Sequence, residues 1–408
     1  MHADQPSLQI EALVEGGSRL KGKSADEVNR LPVISSTPTN TLYSPIAPAI
    51  LGLFASRGAE LIDVPILQTA DPFLDVEERH GCIFTTESEI GENLCLRPGF
   101  TIPICLDHIK SRATARRYAY IGEVFWQNRQ GGSEFLEAGI EDIGDAEVAT
   151  TDARSIGDAY AVLELTLPQF DLAAVIGDKT IFEAVLTALD LPIRWQKRLA
   201  RAFGAPTHLE VVLGDLVKPM QRRKLGGALS LFVGRGELEC LTDHIATAME
   251  LAGFSLVAGR TPHEIATRLI ESNELTRVSL PKAALEALED FLSIRVPLEQ
   301  APDALRGFAS AAGLALGPAF DTFLARADAM AAQGLPFGRL TYDAALGRPH
   351  DYYTGLVFEF YVPGTDRALV TGGRYDQLLT LLGADRPIAA VGFSVEIDRV
   401  VRLRETIA

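Results

Sequence analysis

The sequence predicts an α+β fold in which an antiparallel sheet is interrupted by a helical insertion. Strand-like runs occur in two separate parts of the chain, one before residue 180 and one after residue 335. Hairpin-like turns separate successive runs, which is typical of antiparallel strands. The stretch between them, from about 181 to 334, is rich in alanine and has helical periodicity. A sheet that stops before a helical block and resumes after it indicates one domain carrying an insertion.

This pattern divides the chain into four segments. Residues 1–40 are polar and irregular, include the loop-forming stretch "SSTPTN", and are predicted to be an N-terminal extension. The first part of the core follows at 41–180, the mainly helical insertion at 181–334, and the second part of the core at 335–408. The two core parts are expected to contribute strands to one sheet.

The first part of the core is predicted to begin with a helix. The run from Ser44 to about Gly58 is amphipathic, and an apolar strand follows it as far as Pro65. A second helix is predicted between about Ala146 and Leu165. Four further strands are expected before that helix and one after it, in the runs "GCIFTT", "NLCLRP", "RRYAYIGEVFWQN", "SEFLEAGIEDIG" and "FDLAAVIGD".

Capping residues predict helix boundaries within the insertion. Thr261 is the expected N-cap of a helix that has Pro262 at its first position and Glu264 placed to close a capping box. Gly334 fits the C-terminal stop of the last helix. Strands then return in "RLTYDAAL", "YYTGLVFEFYV", "RALVTGG" and "IAAVGFSV", and each of the last two leads into a helix.

Composition argues against several classes of protein. No apolar run approaches the roughly 20 residues that span a bilayer, and the N-terminus lacks a secretory signal, so a cytoplasmic protein is expected. The net charge of −16 opposes binding to nucleic acid. Histidines and cysteines lack the spacing of a zinc site, so neither a metal nor another cofactor is expected.

Two carboxylates in "SEFLEAGIEDIG" are candidates for a binding site. Side chains of a strand alternate between its faces, so Glu137 and Glu141 share one face. Two interpretations stay open at this point. The pair is either a solvated strand face or, given the apolar neighbours Ala138 and Ile140, two acids that face a cationic ligand.

A second candidate group lies in "GRPHDYYTGLVFEF". Arg348 precedes a proline, which biases its backbone away from helix, so its guanidinium could reach a ligand carboxylate. Tyr352 and Tyr353 are either packing aromatics or pocket residues, and only one of them should enter a pocket unless the backbone turns there. The next strand offers backbone that a ligand could approach closely, since glycine adds no side chain. This pocket backbone comprises Thr371, Gly372 and Gly373.

Several of these segments resemble histidyl-tRNA synthetases, a class II synthetase family. "DYYTGLVFEFY", "TGGRYDQLL" and "AAVGFSVEIDR" resemble the histidine-binding segment and third signature motif, and "RYAYIGEVFWQNRQGGSEFLEAGIEDIG" resembles the second. "LCLRP" with Thr101 resembles the family's "LRPEGT" stretch. The resemblance implies a dimeric protein with a six- or seven-stranded antiparallel sheet flanked by helices. It also implies histidine-contacting roles for Thr101, Glu137, Glu141, Arg348, Tyr352 and Tyr353.

The sequence departs from that family where adenylate formation needs a cation. Trp126 stands where the second motif has an arginine for the α-phosphate of ATP, and Arg129 is the only cation in the loop that follows. A neutral indole N–H cannot replace a guanidinium in stabilising the transition state. The glutamate of "LRPEGT" is also missing. Because the chain ends at Ala408, no anticodon-binding domain is expected.

This combination is similar to the regulatory subunits of ATP phosphoribosyltransferase. The similarity implies a non-catalytic subunit that binds free histidine for feedback control of the first step of histidine biosynthesis. It further implies pairing with a short-form catalytic subunit, in a hetero-octamer that contains homodimers of this chain. The alternatives are an active histidyl-tRNA synthetase or related adenylating enzyme, which Arg399 and Arg129 favour, and a histidine-binding scaffold without a catalytic partner.

Overall fold

The computed structural model describes residues 44–76, 82–127, 132–217, 226–253, 261–275, 282–348, 352–365 and 367–406. The predicted extension at 1–40, Arg129 and the dipeptide Pro349-His350 lie outside these residues. Two compact units can be distinguished. The smaller unit contains Pro192–Lys197 and Val211–Leu285, and the larger unit contains Ile34–Leu191, Arg198–Glu210 and Glu286–Ala408.

The first part of the core contains both predicted helices, but the helices Asp71–Val76 and Thr101–Ser111 and the strand Leu67–Thr69 were not predicted. Its first helix buries Ile50 and Phe54 and ends just before Gly58, whose φ of 73° suits glycine. The elements are α1 (Ala47–Ser56), β1 (Glu60–Leu61), β2 (Leu67–Thr69), α2 (Asp71–Val76), β3 (Thr85–Glu87), β4 (Asn93–Leu96), α3 (Thr101–Ser111), β5 (Arg116–Phe125), β6 (Glu134–Ile143), α4 (Val148–Thr166) and β7 (Ala173–Asp178).

The described residues of the stretch predicted to be helical are mainly helical, with one short strand that was not predicted. The capping box is confirmed, because the Thr261 amide donates to Glu264 Oε2 at 2.8 Å and the Glu264 amide donates to Thr261 Oγ1 at 3.3 Å. The elements are α5 (Lys179–Ala188), α6 (Ile193–Ala202), α7 (Pro206–Val217), α8 (Gly227–Arg235), α9 (Leu238–Leu251), α10 (Pro262–Leu275), α11 (Lys282–Leu292), β8 (Arg295–Pro297), α12 (Ala301–Ala312) and α13 (Gly317–Ala332).

The last part of the chain completes the main sheet. Its elements are β9 (Leu340–Asp343), β10 (Leu356–Tyr361), β11 (Val370–Arg374), α14 (Leu378–Leu381), β12 (Ala390–Glu396) and α15 (Ile397–Glu405). The sheet has nine strands in the described part of the chain, in the order β1-β5-β6-β12-β11-β10-β7-β9-β8. The expectation of six or seven strands was therefore too low. Two pairs, β1 with β5 and β7 with β9, are parallel, and the others are antiparallel.

Two runs predicted as strands of the main sheet form a separate small sheet. The strands β3 and β4, from "GCIFTT" and "NLCLRP", pair with each other, and β2 pairs with the other edge of β4. Strand-like composition predicts a strand but not its partner, so the difference lies in the pairing. Every helix in the described part of the chain is too short or too polar to span a lipid bilayer.

A buried ion network joins four elements of the larger unit. Asp152 on α4 accepts from Arg326 of α13 at 2.7 Å and from Arg374 of β11 at 2.8 Å. Arg326 also donates to Asp178, the N-cap residue of α5. None of these side chains is more than 4% exposed. The network fixes the end of β11 and the start of α5 relative to the helices on that side of the sheet.

Candidate functional site

A cavity of about 160 Å³ lies on one face of the main sheet. Its floor comes from β5, β6, β12 and β11, and its walls come from the start of α3 and from the segments that precede β10 and α14. The lining residues are Phe73, Pro98, Gly99, Thr101, Ile102, Tyr120, Trp126, Glu137, Glu141, Arg348, Tyr352, Tyr353, Thr371, Tyr375, Gly392, Phe393 and Ser394.

Strand register places the floor residues side by side. Tyr120 pairs with Gly139, Gly139 with Ser394, and Ser394 with Thr371, so one row crosses four strands. Gly139 lies between Glu137 and Glu141 on β6, and a Cβ there would stand 2.4 Å from the Tyr120 hydroxyl. This glycine therefore leaves room for the Tyr120 ring to lie between Glu137 and Glu141.

Glu141 is a buried carboxylate held by two hydroxyl donors. Thr101 Oγ1 donates to Oε1 at 2.6 Å, and the Tyr375 hydroxyl donates to Oε2. The carboxylate lies over Gly392, where a Cβ would stand 1.7 Å from Oε2. Burial raises the pKa of Glu141 to about 7, although both hydroxyl donors act in the opposite direction. The carboxyl group is thus poised to ionise when a cation enters the cavity.

Glu137, which is half-buried, is the second acid of the cavity. Burial is the largest cause that raises its pKa to about 7, and the carboxylates of Glu396 and Glu141 add to the rise. The Arg97 guanidinium acts against them. Two such acids on one face of the cavity favour binding of a cationic or hydrogen-bond-donating ligand.

Arg348 supplies the positive side of the cavity. Its Nη2 lies 2.9 Å from Glu359 Oε1 on β10. Its Nε is buried and has no hydrogen-bond partner among the residues that the structure describes. A ligand carboxylate that accepted from this guanidinium would satisfy a donor that is otherwise buried unpaired.

Both tyrosines of the predicted pair line the cavity. They precede the first residue of β10, Leu356, so the backbone turns there and the alternation of a strand does not apply to them. The two rings lie 4.9 Å apart, and the Tyr352 ring meets the Tyr375 ring edge to face at 6.4 Å. The aromatic wall of the cavity therefore comes from two segments of the chain.

The predicted pocket backbone divides into two parts. Thr371 lines the cavity, whereas Gly372 and Gly373 are not among its lining residues. A Cβ on Gly373 would stand 2.8 Å from the Tyr353 ring, and one on Gly372 would stand 2.4 Å from the Phe358 ring. In this structure the glycines make room for packed aromatic rings, and a ligand does not need to reach their backbone.

Three lining residues with hydroxyl side chains were missed by the sequence-based prediction, namely Tyr120, Tyr375 and Ser394. Tyr375 lies two residues beyond Gly373 and four beyond Thr371, so the alternation of β11 gave a usable signal for it. Tyr120 and Ser394 face the cavity because of the register between β5, β6 and β12. That register is a long-range property, and no local pattern in the sequence indicates it.

Trp126 lines the cavity, whereas Arg97 and Arg399, which could bind the phosphates of a nucleotide, do not. Arg97 donates to backbone carbonyls and is 3% exposed. Arg399 pairs with Glu396. Arg348 is thus the one arginine among the lining residues, and Arg129 lies outside the described part of the chain.

The chain is similar in sequence to histidyl-tRNA synthetases and to ATP phosphoribosyltransferase regulatory subunits. The family model of histidyl-tRNA synthetase matches residues 39–253 and 266–400. The ATP phosphoribosyltransferase regulatory subunit of Mesorhizobium japonicum is 55% identical over 366 residues, which are 89% of this chain and 98% of that protein. The regulatory subunit of Chelativorans sp. is 52% identical over 365 residues, again 89% and 98% of the two chains.

Solved structures with a similar fold are more distant in sequence. An ATP phosphoribosyltransferase regulatory subunit/histidyl-tRNA synthetase from Bacillus halodurans has a TM-score of 0.61 at 20% identity, over 92% of this chain and 83% of that one. The histidyl-tRNA synthetase of Nostoc sp. PCC 7120 has a TM-score of 0.62 at 15% identity, over 93% and 76%. These likenesses confirm the predicted class II synthetase-like fold. The curated relatives go further, and by their identity and coverage the chain belongs to the family of ATP phosphoribosyltransferase regulatory subunits.

Proposed function

We propose that this chain is a non-catalytic cytoplasmic subunit that binds free histidine and thereby controls a short-form catalytic ATP phosphoribosyltransferase subunit. The control would be feedback inhibition of the first step of histidine biosynthesis. The names of the relatives support the pairing with a catalytic partner. We extend the proposal to a hetero-octamer containing homodimers of this chain.

The observation that carries the histidine assignment is the pairing of two acids, buried Glu141 and half-buried Glu137, with one arginine in a cavity of about 160 Å³. Pockets for drug-sized ligands are roughly 300–1,000 Å³, so this cavity suits one amino acid better than a nucleotide. Glu141 and Thr101 would bind the ammonium group, and Arg348 the carboxylate. Glu137 and a tyrosine hydroxyl would satisfy the two imidazole nitrogens.

The non-catalytic part of the proposal depends on charge. Adenylate formation builds negative charge on a phosphoryl group, which synthetases stabilise with cations. Trp126 offers one neutral donor at the cavity, while Arg97 and Arg399 are engaged with other groups. The described part of the cavity therefore supports binding of an amino acid without its activation.

Free histidine is expected to bind the wild-type chain, and Glu137→Ala to weaken that binding by about tenfold or more, because a hydrogen bond to a charged group contributes about 1.5–3 kcal/mol. Isothermal titration calorimetry measures both affinities. Glu134→Ala is a matched control, since Glu134 lies on the same strand outside the cavity lining. Equal affinity of Glu137→Ala and wild type would remove Glu137 from the site. Histidine-dependent exchange of pyrophosphate into ATP would contradict the non-catalytic assignment.

A purified short-form catalytic subunit is expected to form a complex with this chain, and histidine to inhibit that complex by at least about fivefold. Ligand binding shifts the equilibrium between two subunit arrangements only through its difference in affinity for them. Phosphoribosyl transfer is measured with and without histidine, and Glu137→Ala serves as the uncoupled control. Absence of a complex at micromolar concentrations would favour a free-standing histidine-binding scaffold.

A further inference from the structure

The first turn of α5 holds the tyrosine segment of the cavity through three hydrogen bonds. The Lys179 Nζ donates to the carbonyl of Tyr353 at 2.9 Å, and the Lys179 amide donates to the carbonyl of Gly355 at 3.0 Å. The Thr180 hydroxyl donates to the carbonyl of Thr354 at 3.4 Å. Three successive carbonyls of the segment that carries Tyr353 therefore depend on two residues of α5.

The N-terminus of α5, which carries Lys179, is itself held in place by hydrogen bonds. Asp178 caps α5 by accepting from the Thr180 amide at 2.8 Å, and its other carboxylate oxygen accepts from the buried Arg326. Glu183, one turn further along α5, interacts electrostatically with the Lys179 ammonium. Lys179 thus reaches the cavity segment from a rigid helix terminus, which is the arrangement that a positioning residue requires.

The segment that carries Arg348 is also supported by α5, through the ring of Phe203. Phe182 of α5 stacks on Phe203 with ring centroids 4.2 Å apart. A Cβ on Gly347 would stand 2.6 Å from the Phe203 ring, and one on Gly204, whose φ is 91°, would stand 2.2 Å from the Arg348 amide nitrogen. The backbone that carries Arg348 is therefore packed against residues that α5 supports.

We propose that Lys179 is a positioning residue for the ligand cavity. We also propose that α5 is the element that transmits the effect of ligand binding from the cavity to parts of the fold away from it. The second half of this inference rests on the proposed binding of histidine. A ligand that contacts Arg348 and the tyrosines orders two segments that both rest on α5, so its binding stabilises α5 as well. No residue of α5 lines the cavity, so this effect is indirect.

Hydrogen exchange measured by mass spectrometry tests the inference with and without histidine. In the unliganded protein, Lys179→Met is expected to speed exchange in the 352–356 segment by about 5- to 10-fold, because a charge-assisted hydrogen bond is lost. Lys179→Arg is expected to restore slow exchange, because it keeps a charged donor. Lys110→Met is the control, since Lys110 is an exposed lysine in the last turn of α3.

With histidine, the wild type is expected to gain protection over 179–188, and Lys179→Met to lose that gain together with about 5- to 10-fold in affinity. Gly204→Ala, which would force its new Cβ against the backbone of Arg348, is expected to weaken the affinity for histidine although Lys179 is unchanged. Unchanged exchange at 352–356 in unliganded Lys179→Met would overturn the positioning role. Histidine binding that leaves 179–188 unprotected would overturn the transmission. If wild type binds no histidine, the proposed function fails, while the unliganded comparison still decides the role of Lys179.

Discussion

Replacing Asp152 by alanine is expected to lower the free energy of unfolding by about 3–5 kcal/mol, the usual cost of breaking a buried ion pair from one side. Asp152 is fully buried and accepts from both Arg326 and Arg374. Burial by itself would lower the pKa of the Arg326 guanidinium, but Asp178 and Asp152 raise it above its ordinary value. Without Asp152, two buried cations would share the remaining acceptors.

Urea unfolding followed by circular dichroism measures this effect. Asp303→Ala is the control, because it removes an aspartate–arginine pair in which Asp303 is 86% exposed, and such pairs contribute at most about 1 kcal/mol. Asp152→Asn, which keeps the shape of the side chain, is expected to be nearly as destabilising as Asp152→Ala. A loss below 1 kcal/mol for Asp152→Ala would show that the network does not stabilise the larger unit.

The features that the sequence predicts correctly are those with a local physical cause. Alternation along β6 puts Glu137 and Glu141 on one face, and the structure places both in one cavity. The capping box at Thr261 follows from the reach of two short side chains over one helical turn. In each case the residues that decide the outcome lie within a few positions of each other.

The features that the sequence does not predict depend on pairing between distant residues. The strand β8 has only three residues and is stabilised by pairing with β9, so it carries almost no periodicity of its own. The ion pair of Asp152 with Arg326 joins residues 174 positions apart. Gly373 of β11 is explained by the ring of Tyr353, about 20 residues earlier, and Gly372 by the ring of Phe358 on the neighbouring strand. Such contacts are decided by tertiary packing.

The affinity for histidine is expected to fall about 100-fold from pH 8 to pH 6, which is about tenfold for each of two carboxyls that must ionise. Burial raises the pKa of both Glu137 and Glu141 to about 7, so each is largely protonated at pH 6 in the unliganded protein. The ligand ammonium and an imidazole N–H need carboxylates as acceptors. Binding at pH 6 therefore releases protons, and acid opposes it.

The stability of the unliganded protein is expected to show the opposite trend. Because the folded pKa of about 7 exceeds the ordinary glutamate pKa of 4.5, the folded state holds protons that the unfolded state has lost between these values. The contribution of these carboxyls to stability is thus present in acid and disappears as the pH rises through 7. Histidine replaces the lost protons with its own cationic group, so its stabilising effect should grow over the same pH range.

Calorimetry in buffers of different ionisation enthalpy measures both the affinity and the number of protons released. Glu137→Gln removes one titrating group and is expected to reduce the pH dependence to about tenfold, which remains from Glu141. Glu134→Gln, on the opposite face of the same strand, should keep the full dependence. An affinity that is constant or rises as the pH falls would mean that histidine binding does not require ionised Glu137 and Glu141. The assignment of these two carboxylates to the bound amino acid would then be wrong.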